Sequence, residues 1–241
     1  TRQPLALEQR VILVSGAQGG LGSAAAEACA RAGATVVLLG RKPPKLNRVY
    51  DACAKLGPEP LLYPLDLEGA SPDDYAEMAD RLHRELGRLD GVLHCAAEFR
   101  GLTPLEHTDP AAFARAVHVN LTAQWWLSQA CLPLLKQAQD AALVFALDDV
   151  ARVGKAYWGG YGVAQHGLAA LVGMLHAELA NSSVRVAALQ PGPMRTSLRA
   201  KAYVEDEDKL ARDPSEYAGA CVTLLSPAGA EHRGQVWEVR A

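Results

Sequence analysis

The stretch Val11-Ile12-Leu13-Val14-Ser15-Gly16-Ala17-Gln18-Gly19-Gly20-Leu21-Gly22 joins a short apolar run to a glycine-rich turn, and an alanine-rich helical pattern from Ser23 to Ala32 follows. An apolar run of this length reads as a parallel strand buried on both faces. The turn after it exposes backbone N–H groups at a helix start, where free amides and the helix dipole stabilise an anionic phosphate. Glycine has no Cβ, so the backbone there can lie close to a pyrophosphate. Taken alone, a glycine cluster can equally be a turn that needs glycine only for its geometry. The rest of the chain decides between the two.

Outward from this unit the pattern repeats. Ala34–Leu39, Leu61–Leu65, Gly91–Ala97, Ala142–Leu147, Val184–Leu189 and Gly234–Val239 read as further strands, which makes seven with the first. Between them lie helical patterns over Pro44–Leu56, over Ser71–Leu86 and from Thr108 through Asn120 and Trp125-Trp126 to Pro133. The last of these over Tyr157–Ala180 completes the set. Ser71-Pro72-Asp73-Asp74 supplies an N-cap serine, proline at the first helical position and acids in the first turn. Pro133 is expected to kink or end its helix. Strands and helices alternating at this rhythm give an α/β fold, a Rossmann-type doubly wound parallel sheet of about seven strands with helices on both faces. Right-handed crossovers then place a ligand at the carboxyl ends of the strands.

The 241 residues are 49% hydrophobic and 21% charged, enough for one sizeable core, so we expect a single dinucleotide-binding domain over 1–241. A net charge of -3 carries no electrostatic footprint for nucleic acid. No apolar run approaches the ~20 residues of a membrane span, and Thr1–Arg10 has no signal-like core. Five cysteines without CxxC or metal-type spacing fit a reducing cytoplasm, and no metal is expected.

In a dinucleotide fold an acidic residue about 20 positions beyond the glycines binds the ribose 2′-hydroxyl. Here that place holds Gly40, followed by Arg41. A carboxylate repels a 2′-phosphate, whereas a guanidinium binds one bidentately. This favours NADP (NADPH) over NAD, with a solvated surface arginine as the plain alternative.

The order of these pieces resembles the short-chain dehydrogenase/reductase family over nearly the whole chain. Ser15-Gly16-x-x-x-Gly20-x-Gly22, with Gln18 and Leu21 inside it, looks like the family's cofactor loop. Asp66-Leu67 looks like its adenine-contacting pair, Asn120 falls on its structural asparagine and Tyr161 on its catalytic tyrosine. Pro191-Gly192-Pro193-Met194-Arg195-Thr196 looks like the segment whose threonine holds the nicotinamide carboxamide. Val144–Gln165 and Pro191–Arg199 look closest to an uncharacterised-oxidoreductase branch. The resemblance implies hydride transfer between NADP(H) and a carbonyl or alcohol, with the substrate open. It also implies a homodimer or homotetramer through the 110–137 and 157–180 helices, for which Trp125 and Trp126 can serve as interface or as core.

Three positions depart from that pattern. Asp148, thirteen residues before Tyr161, stands where the family has its serine, and Gln165, four after, where it has its lysine. His94-Cys95-Ala96-Ala97 stands for Asn-Asn-Ala-Gly. A free phenol titrates near ~10. A lysine at ~5 Å favours the phenolate by roughly 3 kcal/mol, about two pKa units, at an effective dielectric near 20. Gln165 cannot supply this, and an ionised Asp148 pushes the other way, so the expected local charge falls by two units. Ionised aspartate only accepts hydrogen bonds and opposes a growing oxyanion. Gln165 can still hydrogen-bond the nicotinamide ribose. His166 and Lys155 are the nearest substitutes, more simply read as surface or packing residues. Asp149 is an alternative to Asp148 as an acid or base. Cys95 lies beside the expected cofactor site with no cation to activate it. Residues 199–213 form the expected substrate-side segment, with Glu205–Asp208 a solvated acidic run. The expectation is therefore an NADP(H)-binding protein impaired in the family reaction. The alternative is a non-catalytic scaffold or redox-sensing interaction protein.

Overall fold

In the computed structural model, which describes residues 2–203 and 210–240, the strands line up in one parallel sheet. The strands are β1 (Val11–Ser15), β2 (Thr35–Gly40), β3 (Leu61–Pro64), β4 (Gly91–His94), β5 (Ala141–Ala146), β6 (Val184–Pro191) and β7 (Val236–Val239). Their spatial order, β3-β2-β1-β4-β5-β6-β7, reverses direction between β1 and β4 and is the doubly wound arrangement expected from the alternation. The acidic run Glu205–Asp208 lies outside the described residues.

Helices cover both faces, and the two-residue period of the strands selects which. Val11 and Leu13 pack with Tyr75 and Met78 of α3 (Pro72–Leu86), Leu127 of α5 (Ala123–Leu135) and Leu168 of α7 (Gly159–Glu178). Ile12 and Val14 pack on the other side with Ala25 of α1 (Gly20–Arg31), Leu46 of α2 (Pro43–Leu56) and Leu224 of α9 (Ala218–Leu225). Alternate side chains leave opposite faces of a strand, so a run apolar at every position is what a sheet covered on both faces requires. α3 begins with the capping box read from Ser71: its hydroxyl accepts from the Asp74 N–H, and the Asp74 carboxylate accepts from the Ser71 N–H.

Three local expectations change. β4 stops at His94, not Ala97, because its neighbour β1 ends at Ser15, where Gly16 turns away at φ +64. After one more bond, Cys95 N–H to Ser15 O at 3.2 Å, the segment 95–97 leaves the ladder. The long central helix does not break at Pro133, which sits in the last turn of α5. It changes earlier: α4 (Pro110–Val117) passes through a π-helical turn, His118–Thr122, into α5. There the Asn120 side-chain amide donates to Ala116 O at 2.8 Å, drawing on a carbonyl one turn back and loosening the regular ladder. Finally, Tyr157 stands outside α7 at φ +77. The shorter helices α6 (Val150–Val153) and α8 (Ser197–Ala200) border the strand exits. Among the described residues no helix is long and apolar enough to cross a membrane.

Candidate active site

A cavity of about 650 Å³ runs along the carboxyl ends of the strands across the β1/β4 switch point. Gly16, Gln18, Gly20 and Leu21 line one side. Three glycines let the loop close here. A Cβ on Gly16 would stand 2.6 Å from Ala96 N, one on Gly22 2.0 Å from Gly16 O, and one on Gly20 2.9 Å from the Thr196 methyl. Gly19 is the N-cap of α1 and offers no side-chain cap, so the dipole and first-turn amides of that helix lie against the cavity. This cradle fits a pyrophosphate.

One end of the cavity is lined by Arg41, Asp66 and Leu67. Cys95, Ala96 and Ala97 form the floor, and burial raises the Cys95 thiol well above its usual range, which keeps it protonated. Pro191, Gly192 and Thr196 line the opposite wall, where the Thr196 hydroxyl caps α8 by accepting from Arg199 N–H at 3.2 Å.

At the other end stand Tyr161, Asp148 and Gln165. The Tyr161 hydroxyl donates to Asp148 Oδ2 at 2.7 Å, and the Asp148 N–H donates to Gln165 Oε1 at 3.0 Å. The other carboxylate oxygen of Asp148 pairs with Arg152 Nη2. Arg152 also donates to the Tyr203 hydroxyl at 3.0 Å and lies over the Trp158 ring at 5.0 Å. Phe99 and Trp158 pack around the Tyr161 ring, centroids 5.3 and 6.0 Å away, and leave it 5% exposed. Burial, then the Asp148 charge and hydrogen bond, raise the Tyr161 pKa well above its ordinary value, with Arg152 opposing weakly.

Arg152 corrects the expected charge balance. Where a local charge two units lower was expected, the Arg152 guanidinium sets a positive charge against Asp148. Its signal was in the sequence: an acid followed four residues later by arginine is a favourable local spacing. Neither His166 nor Lys155 lines the cavity; His166 Nδ1 lies 2.9 Å from Gly162 O. Asp149 caps α6 by accepting from Ala151 N–H.

Ser15, Gly22 and Asn120 lie behind the wall of the cavity. Asn120 is fully buried; its carbonyl accepts from Glu98 N–H at 2.9 Å, and its amide donates to Glu98 O at 2.8 Å. It thereby fastens the loop after β4 to the central helix. Beneath that loop His94 is buried, stacked on Phe145 at 4.4 Å, with Nε2 2.8 Å from the Ser128 hydroxyl. Burial lowers its pKa to about 3.

Residues 10–207 match the family described as short chain dehydrogenase. The chain belongs to the short-chain dehydrogenase/reductase family. It is 32% identical over 235 residues to the uncharacterized oxidoreductase YciK of Escherichia coli K12, covering 97% of this chain and 93% of that protein. A protein from Pseudomonas syringae assigned to the short chain dehydrogenases superposes with a TM-score of 0.93 at 40% identity, covering 100% of this chain and 98% of that one. Another, from Escherichia coli CFT073 and complexed with NADPH, superposes with a TM-score of 0.93 at 32% identity over 100% of both chains. The family accounts for the doubly wound sheet and supports a nicotinamide cofactor. The Asp148–Arg152–Tyr161 cluster is a property of this chain's own residues.

Proposed function

We propose that the protein binds NADP(H) in this cavity, in one dinucleotide-binding domain, and is impaired in ordinary hydride transfer between a carbonyl and an alcohol. The cofactor supplies the hydride when bound. The glycine loop, Gly19 and Thr196 hold and orient it, and Arg41 favours a 2′-phosphate. The NADPH complex of the Escherichia coli CFT073 relative supports that preference.

The observation that carries the impairment is the hydrogen bond from Tyr161 to Asp148. Reduction of a carbonyl places growing negative charge on its oxygen, which must receive a proton. The Tyr161 proton is directed at a carboxylate instead. That carboxylate is paired with Arg152 through its other oxygen, so both of its oxygens are engaged as acceptors. Gln165 Oε1 is engaged by the Asp148 N–H and adds no charge. The phenol is therefore held neutral, without a neighbouring base strong enough to make it a phenolate at neutral pH.

Thermal shift with NADP, NADPH, NAD and NADH tests the binding half: NADPH and NADP raise the melting temperature more than NAD and NADH. A broad panel of ketones and alcohols tests the catalytic half, with no turnover expected. Robust turnover that Tyr161→Phe abolishes would refute the impairment. The double variant Asp148→Ser/Gln165→Lys restores a donor and a cation, and is expected to gain reductase activity. We also place the protein in a reducing cytoplasm as a homo-oligomer through the 110–137 and 157–180 helices. Trp125, Val163 and Met174 are exposed on them, while Trp126 packs against Tyr75 and His118. Light scattering tests the oligomer.

A further inference from the structure

Gln18 bridges the glycine loop and the exit of β2. Its side-chain oxygen accepts from the Lys42 N–H at 2.8 Å. The same oxygen would lie 3.1 Å from a Cβ placed on Gly40, and Leu46 Cδ2 would lie 3.0 Å from it. A Cβ at position 40 would press on both side chains, each of which would have to give by a few tenths of an ångström, and a carboxylate there would meet the negative end of the Gln18 amide dipole.

The chemistry around this bond is cationic. Arg41, Lys42 and Lys45 are exposed and line the cavity. Among the described residues no carboxylate forms an ion pair with them. α2 begins with Pro43 and Pro44, which have no N–H, and the Lys45 N–H bonds to Lys42 O at 3.1 Å. The start of α2 therefore offers few amides, and recognition of an anion here falls to the three side chains.

We infer that Gln18 is the positioning residue for 2′-phosphate selectivity: it stands against the place of the missing acid and, through Lys42 N–H, holds the Arg41-Lys42 turn toward the phosphate. This rests on the proposed binding of NADP(H). Selectivity is then a matter of room as well as of charge. An acid introduced at position 40 does not create NADH preference until Gln18 is shortened.

Fluorescence titration with NADPH and NADH tests this, with 2′,5′-ADP and 5′-AMP as probes of the 2′-phosphate alone and melting temperature as the check on folding. In the wild type, 2′,5′-ADP binds more tightly than 5′-AMP. Gln18→Ala lowers the preference for the 2′-phosphate about tenfold, the effect of losing one positioning bond to a charge-binding turn. Gln18→Glu keeps an acceptor for Lys42 N–H but adds a negative charge, so it lowers NADPH affinity further. Gly40→Asp weakens NADPH without gaining NADH, whereas Gly40→Asp/Gln18→Ala gains NADH. If the folded Gln18→Ala variant keeps the wild-type ratio of NADPH to NADH, or if Gly40→Asp alone gains NADH as well as the double variant, the inference fails while the cofactor reading stands. If the wild type binds neither coenzyme, both fail.

Discussion

Asp148 shows how one residue changes meaning when its neighbours are known. In the sequence it is an acid where the family has a hydroxyl, and Tyr161 lies thirteen positions on. In the structure it is the centre of a cluster: one oxygen accepts the Tyr161 O–H hydrogen bond, the other pairs with the Arg152 guanidinium. Removing one partner of such a part-buried pair leaves the other uncompensated, which costs more than removing both. Arg152→Ala is expected to lower stability by about 1–3 kcal/mol, and Asp148→Ala/Arg152→Ala by less than the sum of the two single changes, measured by urea unfolding. Additive single effects would mean that the pair is not coupled. Asp148 and Gln165 drew notice only through the resemblance, counted from Tyr161, and the sequence did not show what they touch. Arg152 was legible as a four-residue spacing, but its contact with Tyr203 joins segments 51 residues apart, and no local pattern carries that.

Among the elements, the central helix was legible in extent but not in shape. Proline is the strongest helix breaker in the sequence, yet near the C-terminus of α5 it removes a bond from the last turn only. The irregular turn belongs to Asn120, whose amide reaches both Ala116 O and Glu98 O. A buried side chain that satisfies three backbone groups anchors two elements at once. Asn120→Ala is expected to cost about 2–3 kcal/mol, because groups of Glu98 and Ala116 lose a partner. Amide hydrogen exchange should quicken at Glu98, where Asn120 Oδ1 is the acceptor, before it does in α5. Unchanged protection at Glu98 would show that the bond is not what holds the loop. Strand ends were legible to within a few residues, and β4 was overread because apolar character continues beyond the last residue that has a ladder partner.

The whole molecule places a neutral imidazole between the sheet and α5. His94 in the folded state stays unprotonated until about pH 3, whereas in the unfolded chain it binds a proton near 6.5. Between those values the unfolded state holds more protons, so stability falls as pH falls, by up to about 1.4 kcal/mol for each unit crossed. This contribution is fully present above pH 6.5 and is lost toward about 3. Urea midpoints measured at pH 7 and pH 5 should therefore differ less for His94→Gln than for the wild type; an equal difference would assign the acid sensitivity elsewhere. The alternation of apolar runs with helical periods determined by itself the doubly wound sheet, the position of the glycine loop and the end of the sheet that carries the cavity. These follow from local periodicity and from the few ways in which strands and helices can cover each other. Only the tertiary structure brought Gln18 to Lys42 N–H, Arg152 to Asp148 and Asn120 to Glu98. Such contacts depend on ångström distances set by packing, and residue spacing does not contain them. The opening stretch thus fixed where a nucleotide would lie, and folding fixed which groups surround it.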